Sequence, residues 1–127
     1  MARDKITVYN YTYENTDSAG VVGITKQAVT QANGIEISNA FENKDNSLII
    51  TIDNTANAAS TVTIKAGEKQ NAILGDCTLA LQTGINSIAL NRDMARFENK
   101  DGSVYLDFAT GFTGNIWASA EKAGLGS

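Results

Sequence analysis

Apolar and polar residues alternate along most of this chain. Ile6 and Val8 fall on one face of an opening segment, and Thr7, Tyr9, Tyr11 and Tyr13 fall on the other. The same period of two recurs at Leu48-Ile50-Ile52, Val62-Ile64, Cys77-Leu79-Leu81, Ile88-Leu90 and Val104-Leu106-Phe108, and Ile116 to Ala118 closes the pattern. Successive strand side chains point to opposite faces, so this period predicts half-buried β-strands. Turn signals separate them: Asn33-Gly34, Ala66-Gly67-Glu68-Lys69, Thr83-Gly84, and the pair Gly111 and Gly114. Asn and Gly serve there because both tolerate positive φ. Roughly eight to ten short strands with no βαβ alternation predict an all-β fold. The expected architecture is an antiparallel β-sandwich, Ig-like or jelly-roll-like, with at most one or two short helical turns. Residues 24–32 fit a short helix or an irregular strand equally well. Residues 91–97 fit a single helical turn capped by Asn91.

The chain also repeats itself. Phe41-Glu42-Asn43-Lys44-Asp45 recurs as Phe97-Glu98-Asn99-Lys100-Asp101, an offset of 56 residues (97 − 41). The apolar phase continues past the identity, with Leu48, Ile50 and Ile52 matching Val104, Leu106 and Phe108. A tight turn delivering a core strand explains each copy. Phe41 and Phe97 anchor the chain, and Asn43, Asp45, Asn99 and Asp101 supply side-chain acceptors for the turn. Two copies imply equivalent positions in a sandwich, one in each sheet. The competing reading, a pair of calcium loops, lacks dense oxygen-ligand spacing.

Composition narrows the chemistry. The chain has 127 residues, 43% of them hydrophobic, with a net charge of −4, no His, no Pro and one Cys. That length suits one domain, residues 1–127, with flexible ends at 1–4 and 120–127. Without His there is no Ser-His-Asp or Cys-His relay and no imidazole metal ligand. A single Cys forms no disulfide within the chain, and Cys77 shares the phase of Leu79 and Leu81, as a small core hydrophobe would. Asp53, Asp76, Asp93 and Asp107 are available as carboxylates, but no spacing pairs them for acid–base work. No catalytic, cofactor-binding or metal-binding residue is therefore expected, and no cofactor. The acidic balance and scattered cations argue against a nucleic-acid surface. Lys65, Lys69, Arg92, Arg96 and Lys100 remain as candidates for pairing with an acidic partner. The apolar runs are too short to span a bilayer, and the start shows no apolar leader, so synthesis in a cytoplasm is expected.

Two features suggest a binding surface. Tyr9, Tyr11 and Tyr13 form a stripe on one strand face, provided the strand extends that far. Trp117 points away from Ile116 and Ala118. Tyr and Trp combine apolar area with a polar tip, so the four residues form a candidate interface. The stripe is open to three uses: cross-strand packing, a protein interface or a platform for a surface glycan.

Two longer stretches resemble bacteriophage head-decoration, or auxiliary capsid, proteins. One is FENKDNSLIITIDNTANAASTVTIKAG, from Phe41 to Gly67. The other runs from Ile88 to Ala118 and contains Arg96-Phe97 followed by Asn99-x-Asp101-Gly102. The resemblance implies a non-enzymatic virion protein on the capsid surface. Its implied partner is the major capsid protein or another virion protein, and a homotrimer would suit threefold capsid sites. Carbohydrate binding or tail and baseplate adhesion is the alternative role for such a module.

Overall fold

A computed structural model describes residues 2–11, 21–40, 48–90 and 96–121. Nine strands run in the order β1 (Asp4–Tyr11), β2 (Gln27–Ala28), β3 (Ile35–Ser38), β4 (Leu48–Asn54), β5 (Ser60–Ile64), β6 (Cys77–Leu81), β7 (Gly84–Leu90), β8 (Val104–Phe108) and β9 (Gly114–Glu121). One 3-10 turn, Gln70–Leu74, lies between β5 and β6. Two neighbouring sheets share β1. The first is ordered β6-β5-β8-β3-β1 and the second β1-β9-β4-β7, with β2 added beside β9. Together they form a mixed sheet nearly closed into a barrel. The fold class is all-β, as the periodicity requires.

The first strand departs from the antiparallel expectation. Asp4 to Thr7 pair in parallel with Ile35 to Ser38 of β3, and Val8 to Tyr11 pair in parallel with Ala118 to Glu121 of β9. All the other ladders among the described residues are antiparallel. A strand that leaves one sheet and enters the next makes a sandwich corner. Between β1 and β3 the chain must travel back to the same end, which only a long connection permits. Residues 21–34 make part of that return. They contain the two-residue strand β2 and a turn in which Asn33 and Gly34 N–H groups both bond to the Thr30 carbonyl, at 3.0 and 3.3 Å. The region that fitted helix or strand thus contains a two-residue strand and the start of a turn, and no helix.

The core is built from the inward halves of the alternating strands. Ile35, Ile37, Val62, Ile64, Val104 and Leu106 of the first sheet meet Leu48, Ile50, Ile52, Ile116 and Ala118 of the second, all of them buried. Phe108 and Phe112 stack at one end, with ring centroids 4.6 Å apart. The strands following the two repeat copies are central in different sheets: β4 lies between β9 and β7, and β8 between β5 and β3. The second copy makes a closed turn. The Asn99 N–H bonds the Ser103 carbonyl at 2.8 Å, and the Gly102 N–H bonds the Asn99 carbonyl at 2.9 Å. Phe97 packs against the core behind it. Phe41, Asn43 and Asp45 of the first copy lie outside the described residues.

Cys77 differs from its expected place. It keeps the phase of Leu79 and Leu81, yet it is only half-buried and lies outside the core cluster. The reason is position: β6 is the last strand of its sheet, so one flank has no neighbour among the described residues.

Ile50 and Leu106 are fully buried in β4 and β8. Truncating either to Ala is expected to destabilise the domain by about 2–5 kcal/mol, through lost burial plus a residual cavity. Thr63→Ala, on the outer face of β5, should cost far less. Urea denaturation of the three variants checks this, and equal losses for all three would contradict the two-sheet core.

Candidate functional site

The two outer faces of this barrel differ in chemistry. On the first sheet, four charges form two ion pairs. Arg3 pairs with Asp107 at 2.5 Å, bonds the Leu106 carbonyl at 3.0 Å and stacks over the Tyr105 ring at 4.7 Å. Gly34 makes room for this: it holds φ at +72°, and a Cβ there would collide with Arg3, Asp107 and the Leu106 carbonyl. Lys65 pairs with Asp76 at 2.8 Å, and Thr63 and Thr78 hydroxyls bond each other across β5 and β6 at 2.9 Å.

Several cations offered by the sequence are held internally. Lys69 pairs with Glu98 at 3.1 Å. Arg96 donates to the Leu74, Gly75 and Asp76 carbonyls at 3.3, 2.9 and 3.1 Å and stacks on Phe97. These bonds strap the loop after β5 against residues 96–100, where Gly67 approaches the Glu98 backbone too closely for any Cβ. Lys65, Lys69 and Arg96 thus each have partners within the domain. Arg92 and Asp93 lie outside the described residues. At the far end of the loop Ile73 is 90% exposed and Leu74 53%.

Hydrogen bonding sets the acid–base behaviour of two aspartates. The Ala66 N–H and then Lys65 hold the Asp76 carboxyl below its ordinary value of 3.8. The Ser103 hydroxyl, at 2.6 Å, and the Ser103 N–H, at 3.0 Å, do the same for Asp101. Lys65 is raised correspondingly, chiefly by its bond to Asp76. Asp53 sits apart on the second sheet, in register with Ile85 and Asn115.

The second sheet's outer face carries the aromatics. The register places Tyr9 beside Ser119, Ile49 on the other side of Ser119, and Thr51 beside Trp117. Tyr11 follows Tyr9 in the same phase at the end of β1. Three of the four predicted interface residues thus share one face, and Tyr13 lies outside the described residues. Ser119 is only 9% exposed although it points outward, which fits its position between Tyr9 and Ile49. Across β7 the face continues with Ile85, Ser87 and Ala89, all exposed. The strand pairing places two charged positions on this side, Asp53 of β4 and Glu121 of β9, the latter in register with Tyr11.

Tyr9 also ties down the return segment. Its hydroxyl donates to the Thr25 carbonyl and accepts from the Thr25 N–H, both at 3.2 Å. A side chain here does what a strand pair would do, at the place where β1 leaves β9 and β2 has not yet joined. That seam opens two clefts with Trp117 in common. One, of about 210 Å³, is lined by Lys5, Thr7, Tyr9, Thr25, Gln27 and Trp117 over Ile6 and Ile116. The other, of about 330 Å³, is lined by Ile24, Lys26 and Trp117. Sequence reasoning found the aromatic residues but not their polar neighbours. The phase of Lys5, Thr7 and Tyr9 was visible, whereas Ile24 to Gln27 carry no periodic signal strong enough to place them.

The fold and this surface define an all-β domain with one ion-paired face and one charge-poor aromatic face. Comparison with protein-family models, curated proteins and solved structures finds no match to the chain. Among the described residues no helix is long and apolar enough to cross a membrane.

The acid side of the stability profile follows from Asp76 and Asp101. Both have folded pKa values below the unfolded value, so their stabilisation is complete above about pH 4 and is lost as pH falls through the lower folded values. Asp76→Asn and Asp101→Asn should each flatten the decline of melting temperature in that window. Thermal melts from pH 6 downward test this, and unchanged acid slopes would exclude both groups as its source.

Proposed function

We propose that this domain is a non-catalytic virion structural protein that docks on an assembled protein shell through the outer face of the second sheet. The observation that carries the reading is the asymmetry of the two faces. One engages Arg3, Asp107, Lys65 and Asp76 in ion pairs. The other presents Ile49, Thr51, Ile85, Ser87, Ala89 and Tyr11 with little charge, and Ile85 is 69% exposed. The centres of protein interfaces are depleted in charge and enriched in aromatic residues, so the second face has the matching composition. Anchors of this kind carry most of a binding energy.

The choice of a virion shell rests on the likeness of Phe41–Gly67 and Ile88–Ala118 to head-decoration proteins. A shell offers many copies of one site. Modest contacts then suffice for an oligomeric docking protein, because linked sites raise the effective concentration.

Co-sedimentation with undecorated heads tests the proposal. Wild type should pellet with the heads. Ile49→Lys, on the inner strand β4, and Ile85→Lys, on the flanking strand β7, should each weaken binding by about 30-fold or more, the scale of a buried anchor. Thr63→Lys, on the opposite face, should bind like wild type. A wild-type protein that stays in the supernatant, or equal binding by all variants, would overturn the assignment.

A further inference from the structure

The seam beside Trp117 has chemistry that the docking face does not need. Its smaller cleft combines two aromatic walls, Tyr9 and Trp117, with the neutral hydrogen-bonding side chains of Thr7, Thr25 and Gln27. A lysine lines each cleft, Lys5 in one and Lys26 in the other, and no carboxylate lines either. Neither lysine makes an ion pair among the described residues. Glu36 stands opposite Lys5 in the β1–β3 register without bonding to it. In a chain of net charge −4, two lysines outside any ion pair beside the half-buried Trp117 mark a local site for an anion, with Asp101 a carboxylate whose charge also acts on Lys5.

We propose that the paired clefts bind an acidic oligosaccharide, one bearing carboxylates on its sugar rings. Each property of the site matches one property of that ligand. The electron-rich aromatic faces of Trp117 and Tyr9 suit the polarised C–H face of a pyranose ring. Thr7, Thr25 and Gln27 offer donors and acceptors to ring hydroxyls. Lys5 and Lys26 pair with carboxylates on adjacent units, one at each cleft. The volumes, about 210 and 330 Å³, sit at or below the lower end of the roughly 300–1,000 Å³ typical of small-molecule pockets, which suits one ring in each. An acidic peptide satisfies the two lysines but makes no comparable use of the hydroxyl-matching groups between them. This site lies at the β1–β2 margin of the second sheet, beside the surface assigned to docking rather than at its centre.

Trp117 is the chain's one tryptophan, so its fluorescence reports on this site alone. The isolated protein would be titrated with tetragalacturonate, its methyl ester, maltotetraose and a hexaglutamate peptide. Equilibrium dialysis would run in parallel, to detect binding that leaves the emission unchanged. Tetragalacturonate should bind saturably in the millimolar range or tighter. The ester and maltotetraose should bind about tenfold more weakly, the scale of one lost charge-assisted hydrogen bond. Lys5→Gln with Lys26→Gln should remove that preference while leaving the melting temperature unchanged. No binding by dialysis, equal binding of acid and ester, or tighter binding of hexaglutamate would overturn the proposal. Since no shell is present in the assay, its failure would leave the docking proposal standing.

Discussion

The divided pairing of β1 is the constraint on which the rest of this molecule depends. Half of the strand is laid parallel to β3 and half parallel to β9, so one continuous backbone belongs to both sheets. Backbone N–H and C=O groups must find partners when buried, and a strand shared in this way satisfies two ladders with one segment. It holds the sheets against each other while Ile6 enters the core between them. It also divides its outward residues. Lys5 and Thr7 belong to the first sheet's side, and Tyr9 and Tyr11 to the second. Where β1 changes partner, the edge of β9 at Trp117 is left between two strands, and the Tyr9 hydroxyl bonds the returning chain at Thr25. The clefts are the geometric residue of that crossing.

A second organising feature is the separation of charge between the faces. Arg3–Asp107 and Lys65–Asp76 sit over one sheet, and Arg96 and Lys69 strap the loop that follows β5. Exposed pairs of this kind stabilise little individually. Their consequence for function is to neutralise much of the charge on the first face, while the second face leaves Ile85 exposed and its aromatic side chains half-buried. Lys5 and Lys26, standing outside this internal pairing, are therefore distinctive beside Trp117. The turn at Asn99–Ser103 serves the same frame, because it sets the register of β8, the strand that carries Tyr105 and Asp107 outward and Leu106 inward.

Much of this was legible before any coordinates. The alternation of Leu48-Ile50-Ile52 and Val104-Leu106-Phe108 identified core strands, and the repeated Phe-Glu-Asn-Lys-Asp segment pointed to related strands that do lie in different sheets. The outward phase of Tyr9, Tyr11 and Trp117 was equally plain. Less was legible where the signal is non-local. Nothing near Lys65 or Arg96 in sequence announces that Asp76 or the Leu74 to Asp76 carbonyls will engage them. The half-exposure of Cys77 depended on β6 lying at a sheet edge, which its own alternation does not encode.

What the sequence determined by itself was therefore the period, the faces and the turns: an all-β chain, an apolar side for every strand, and Asn, Asp and Gly in place of Pro at the corners. These depend on side-chain direction and local φ, which are properties of a few adjacent residues. What only the tertiary structure decided was pairing. It set β1 parallel to two partners, brought Ile24 to Gln27 against Trp117, and chose which cations would be neutralised at home. Backbone hydrogen bonds join any strand to any other with little regard to side chain, so the choice among partners belongs to the packing of the whole domain.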